Sequence, residues 1–220
     1  FISLDSLNAL AFSGTNADGW YLPEARQALQ TGAIAYAGKY SAPDYEMLLQ
    51  GGCGVSIQST MILHSPDVKE QLERLGIPVL VERSSYESDP LARMEWIKVY
   101  GLLLDKLPQA EAIFAQKVAE LQPVLQQPAA GGTAAFFYIT SAGAVNVRRP
   151  NDYIARMIGM AGGEYLAPDD GAETARSTET IQMEQFYETA HDADYLIYNS
   201  TIDGEVRTVQ ELLQKSTVRT

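Results

Sequence analysis

The chain has 220 residues, with 28 acidic against 16 basic side chains, a net charge of −12 and 46% apolar residues; this length can bury a sizeable core and fits one large domain or two small lobes. The acidic balance argues against a general affinity for nucleic-acid phosphates or anionic membranes. One cysteine, Cys53, and two histidines, His64 and His191, exclude a disulfide framework and a zinc site of the usual Cys/His spacing, and with no run of about 18 apolar residues and no secretory signal at its start, the stretch is expected to be soluble.

In chain order, "FISLDS" at residue 1 predicts a strand, and the turn-rich "TNADG" then leads through Trp20 and Tyr21 to a helix opened by Pro23. A short helix bearing Glu46 precedes the strand "GVSIQST" at 54, which exits through Ser59-Thr60 to Met61. The strand "IPVLVER" at 77 ends on a polar loop, Arg83 to Tyr86, and Asp89-Pro90 has the form of an N-cap followed by a proline in the first helical turn. A helical stretch from Leu91 to about Leu125 has a joint at Leu104–Pro108, beyond which Ile113, Phe114, Val118, Leu121 and Leu125 recur at helical steps as one buried face. After the break "QQPAAGGT" come the strand "AAFFYIT" at 134, a turn over 141–144 containing Gly143, a second short strand before Arg148-Arg149-Pro150, and the strand "DYLIYNS" at 194. Strands alternating with helices predict an α/β fold of two lobes with parallel sheets, 1–106 and 128–220, joined by one long helix at 107–127. Residues 45–60 and 183–201 share a helix, turn, strand and Ser-Thr exit, which sets Glu46 against Glu184; chance similarity of two such units explains the match as well as duplication does.

The segments "WYLPEA" (20–25), "AGKYSAPDYEMLL" (37–49), "IQSTMI" (57–62), "GIPVLVERSSYESDPLARMEWIKVYGLLL" (76–104) and "VRRPNDYIARMIGMAGGEYL" (147–166) resemble the substrate-binding proteins of ABC importers for ferric siderophores, haem and cobalamin. The likeness covers nearly the whole chain, and the 76–104 stretch is its most specific part. It implies two lobes on a helical backbone, a ligand held in a cleft between them, and one glutamate per lobe, matching Glu46 and Glu184, that meets arginines of the permease. Relatives of this kind usually begin with a lipobox or signal peptide and an extra strand and helix, and continue past the last helix here. The sequence is therefore expected to be trimmed at both ends, with part of each sheet outside it.

Each candidate has a functional and a structural reading. Arg83 and Tyr86 stand just beyond a strand, where open α/β sheets receive ligands, or merely cap the next helix. Tyr138 ends a strand, and Arg148 and Arg149 suit the anionic oxygens of a chelate or a haem propionate. Alternatively, one of them pairs with an acid such as Asp152; neighbours on a strand face opposite ways, so one of the two can enter a cleft. Trp20 and Tyr21 offer flat faces to a tetrapyrrole or catecholate, or plug a core. Met61 lines a site or packs. Glu46 and Glu184 dock a permease or simply favour helix N-termini.

No G-x-S-x-G elbow, P-loop or G-x-G-x-x-G follows a strand, so no enzyme is indicated. Asp169-Asp170 is expected to be a solvated turn and His191 a helix-end residue. The sequence thus points to an extracytoplasmic solute-binding protein, periplasmic or lipid-anchored at the cell surface. It is expected to be a monomer without a resident cofactor, with a small metal chelate as ligand, a permease as partner and no nucleic acid. A metal chelatase of tetrapyrrole metabolism and a sensor's binding domain are the alternatives.

Overall fold

A computed structural model of the chain describes residues 1–127, 129, 131–168, 177–200, 202 and 206–215; Asp169-Asp170 and Thr201 fall outside them. The chain forms two compact units, Phe1–Tyr86 with Met94–Ala115, and Glu87–Arg93 with Gln116–Thr220.

The first unit opens on two 3-10 turns, Ile2–Leu4 and Leu7–Ala9, where the alternation in "FISLDS" predicts a strand. Local bonding overrides that pattern: Asp5 adopts a left-handed conformation (φ 49°), and the Ser6 hydroxyl donates to the Leu4 carbonyl at 2.9 Å, while the Leu4 side chain is fully buried. Next come β1 (Phe12–Ser13), α1 (Pro23–Gln30), β2 (Ala35–Tyr36), β3 (Gly38–Lys39), β4 (Ala42–Pro43), α2 (Tyr45–Gln50), β5 (Ser56–Ser59), α3 (Pro66–Arg74) and β6 (Val79–Glu82). Strands β1 and β2 form one parallel pair and β5 and β6 another, with β3 and β4 a small antiparallel pair. Ala37, Leu48, Leu72 and Ile77 form the buried cluster, with Phe12 and Val79 packed against it. Residues of both β1 and β5 line one cavity of about 420 Å³.

Helices α4 (Pro90–Glu95), α5 (Ile97–Leu103) and α6 (Leu107–Leu125) follow, and α6 carries the chain from the first unit to the second. The joint before α6 turns at Asp105 (φ 55°). A side chain at Gly101 would meet the Ala110 Cβ at 2.5 Å, so glycine there lets α5 and α6 approach closely. The face expected to be buried is only half covered: Ile113, Phe114, Val118 and Leu121 are intermediate and Leu125 is exposed, while Ala110 takes the buried position. Lys98 lies over the Phe114 ring at 4.4 Å and supplies part of that cover.

The second unit continues with β7 (Thr133–Ile139), β8 (Val145–Arg148), α7 (Tyr153–Met160), β9 (Glu164–Tyr165), β10 (Thr178–Ile181), α8 (Met183–Ala190), β11 (Tyr195–Tyr198) and α9 (Val209–Lys215). Its sheet has the order β10-β8-β7-β11, with β9 also on β7, and it is mixed rather than purely parallel. β11 and β9 run parallel to β7, whereas β8 is antiparallel to both β7 and β10. The link from β7 to β8 explains this. It is a tight turn in which Gly143 has φ 81° and the Thr140 hydroxyl bonds both ends of Ala144, and so short a link can return a strand only antiparallel. One face of the sheet, formed by Ala135, Phe137, Ile139, Val145, Val147 and Ile181, packs on Met183, Phe186 and Ala190 of α8. Asp194 fastens the first residue of β7, accepting from the Thr133 N–H at 2.8 Å and its hydroxyl at 3.1 Å.

Candidate ligand-binding site

In the first unit the candidates cluster at strand exits. Beyond β1, the Trp20 indole N–H lies 3.3 Å from the Ser13 hydroxyl and 3.4 Å from the Thr15 carbonyl, and Arg26 donates to the Trp20 carbonyl at 2.7 and 3.1 Å. Trp20 is thereby fixed and half-buried, while its neighbour Tyr21 is 91% exposed. Beyond β5, the Ser59 hydroxyl accepts from the Met61 N–H at 3.3 Å and leaves the thioether exposed. Beyond β6, Glu82 accepts from the Ser84 N–H at 2.8 Å and shapes the 3-10 turn Ser84–Tyr86. Arg83 is exposed there and Tyr86 is 64% exposed.

In the second unit, register and alternation decide what meets what. Tyr138 pairs with Asn146 across β7 and β8, and Thr180 and Thr178 of β10 oppose Asn146 and Arg148. Because alternate strand residues share a face, Phe136, Tyr138, Asn146 and Arg148 lie opposite the apolar core, with Thr178 and Thr180 beside them. Arg149 continues the ladder through its N–H to the Ser177 carbonyl and belongs to the other face. Its guanidinium meets Glu179 at 3.1 Å. Arg148 is paired too: Nη1 lies 3.6 Å from Asp152 Oδ2, and its guanidinium carbon is 5.8 Å from the centre of the Phe136 ring. The structure thus brings Tyr138 and Arg148 onto one face and sends Arg149 elsewhere.

The Arg148–Asp152 pairing is legible in the sequence, but the residues that hold the arginine are otherwise not. Asp152, 4% exposed, also caps α7 by accepting from the Ile154 N–H at 2.9 Å. Tyr165 clasps the Arg148 backbone: its hydroxyl accepts from the Arg148 N–H at 3.1 Å and donates to its carbonyl at 2.8 Å. Burial raises the Tyr165 pKa well above that of an ordinary phenol, which keeps the hydroxyl a donor. Glu179 lies thirty residues from Arg149, and a polar four-residue strand such as β10 gives no apolar run by which to find it. A cavity of about 560 Å³ adjoins Asp152 and Tyr165, with Ser88, Asn151 and Arg156 on its walls. Asp89 caps α4 as expected, accepting from the Leu91 N–H at 2.8 Å, and that bond together with Arg156 at 3.1 Å holds its carboxyl below the usual range. Glu46 and Glu184 are exposed in the first turns of α2 and α8. Among the described residues, no group of three or more His, Cys, Asp or Glu could hold a metal ion.

No protein-family model matches the chain. It is 26% identical over 189 residues to the uncharacterized lipoprotein MJ0878 of Methanocaldococcus jannaschii, a match covering 83% of this chain and 44% of that protein, so the chain spans less than half of this relative. Among solved structures, it resembles an ABC transporter substrate-binding protein from Listeria monocytogenes, with TM-score 0.61, 14% identity, and 90% of this chain and 69% of that one covered. A periplasmic haem-binding protein from Pseudomonas aeruginosa gives TM-score 0.67 and 19% identity, over 97% of this chain and 72% of that one. A periplasmic binding protein from Veillonella parvula gives TM-score 0.70 and 14% identity, over 97% and 71%. The chain has the fold of the ABC-importer substrate-binding proteins. Tyr21, Met61, Arg83 and Tyr86 all stand on segments that follow strands.

Proposed function

We propose that the chain is the ligand-binding part of an extracytoplasmic solute-binding protein that captures an iron chelate such as a ferric siderophore, or haem or a corrinoid, and delivers it to an ABC permease without catalysing a reaction. The shared fold is the observation that carries this reading, and the relative described as a lipoprotein supports a place outside the cytoplasm. Trp20, Tyr21, Met61, Arg83 and Tyr86 of the first unit, and Tyr138 and Arg148 of the second, would be the ligand contacts. A guanidinium has five N–H donors, so an arginine already in an ion pair can still donate to a ligand. The protein would act as a monomer.

Titrating tryptophan fluorescence with ferric siderophores, haemin and cobalamin tests the reading. One of these should quench with saturation, and Tyr86→Ala should weaken that binding by about 1–3 kcal/mol without unfolding the protein. Failure of every member of the panel to bind would remove the proposal. Glu46 and Glu184 would meet basic residues of the permease, so Glu46→Gln with Glu184→Gln should leave ligand affinity intact and impair uptake, less so at high salt. Wild-type uptake by the double variant would make both ordinary helix residues.

A further inference from the structure

The face of the second unit's sheet opposite its core is half-covered, and beside Phe136 it carries polar residues of little net charge. Tyr138 and Thr178 are uncharged, and the Asn146 amide donates to the Thr180 hydroxyl at 3.1 Å. Among the described residues Arg148 is the cation of this face, and Asp152 answers its charge. The Asp152 side chain beside it is 3% exposed, against 20% for Arg148, so little water screens the pair. Asp152 cannot easily turn away, because its other oxygen caps α7. Nor can the arginine readily leave it, since a buried carboxylate without its cation is strongly disfavoured. Arg148, its backbone clasped by Tyr165 and its guanidinium beside Asp152, therefore brings little net charge to this face.

Resting on the solute-binding reading above, we infer that Asp152 is a specificity-determining residue: by cancelling Arg148 it makes this face accept an uncharged, hydrogen-bonding ligand and disfavour a polyanion. A bare guanidinium on the same face would select the opposite way.

Two matched pairs of probes test this in the intact protein: an uncharged ferric tris-hydroxamate against a trianionic ferric tris-catecholate, and haemin dimethyl ester against haemin. Wild type should prefer the uncharged member of the pair it binds. Asp152→Asn keeps a cap of similar strength but removes the charge. It should tighten binding of the anionic member about tenfold, the scale of one unit charge in a partly wet site, while the uncharged member changes less than about twofold. Adding Arg148→Gln should erase that gain, and Asp152→Ser, which also caps, should reproduce it. A role confined to folding would move both members together, so an unchanged ratio overturns the inference, as does a wild-type preference for the anion. Binding of no probe by wild type or variant would instead count against the solute-binding reading itself.

Discussion

The two units use similar helix–strand pieces and arrive at different cores. In the second, β7 alternates between buried and half-covered positions from Ala135 onward, and Ala135, Phe137 and Ile139 join residues of β8, β10 and α8 in one cluster. In the first, β6 is half-covered along its whole length, and the parallel strands stand as two separate pairs around a smaller cluster. Parallel strands gain their stability from neighbours on both sides and cover on both faces, whereas a hairpin such as β7–β8 buries side chains through contacts made nearby in sequence. The packing difference should be a stability difference, with the first unit the weaker.

The largest test acts on the better-built unit. Phe137 is 4% exposed and packs on Phe186 and Tyr198, with ring centroids 4.5 and 5.4 Å away. Phe137→Ala should cost about 3–5 kcal/mol. Both tryptophans, Trp20 and Trp96, belong to the first unit, so their fluorescence follows that unit while circular dichroism follows the whole chain. In urea the tryptophan transition of the wild type should come first, and Phe137→Ala should move the later, dichroic one. Coincident wild-type transitions would show that the packing difference does not set stability.

The same contrast explains what could be read from the sequence. β5, β6, β7 and β11 were legible as apolar β-branched or aromatic runs, and the break between α5 and α6 as a helix joint, because those signals are local. "FISLDS" misled because alternation specifies a strand only where a partner strand exists; there the side chain of Ser6 and the backbone of Asp5 offered a turn instead. The antiparallel β8 was implied by the Gly143 turn but hidden by the βα rhythm around it. Of the candidate site, strand-exit loops could be located from strand ends, and the exposure of Tyr21 and Tyr86 agrees with that placement. That Tyr165 would clasp Arg148, or Glu179 meet Arg149, depended on β9 and β10, two short polar strands whose pairing is set by tertiary context.

A smaller effect should appear at high pH in the first unit. Burial, with the Glu82 charge, pushes the Tyr100 phenol up to about 12. The unfolded phenol ionises near 10, so between about pH 10 and 12 the unfolded state holds fewer protons and stability falls as pH rises. The tryptophan-detected transition should lose on the order of 1–2 kcal/mol over that window once partial solvent screening is allowed for, and Tyr100→Phe should remove the loss. An unchanged alkaline limb in the variant would assign the loss to other groups.

The smallest effect belongs to Asp194 at the surface of the second unit. Its carboxylate accepts from both the N–H and the hydroxyl of Thr133, while the Asp194 N–H donates back to that hydroxyl at 3.1 Å, tying the starts of β7 and β11 in register. Those bonds lower its pKa below the ordinary carboxylate value. A depressed folded-state pKa contributes stability that is present above the unfolded value of about 4 and is lost as pH falls through the folded one. Asp194→Asn has no such proton to take up, so the dichroic transition of the variant should decline less steeply below pH 4, while at neutral pH it should lie slightly below wild type because an amide oxygen accepts more weakly than a carboxylate. Exposure keeps the difference small, and salt should barely change it, since the partners are dipoles rather than a screened opposite charge. Parallel acid limbs in variant and wild type would mean that the register of β11 on β7 is held by the sheet's own ladder and not by this clasp.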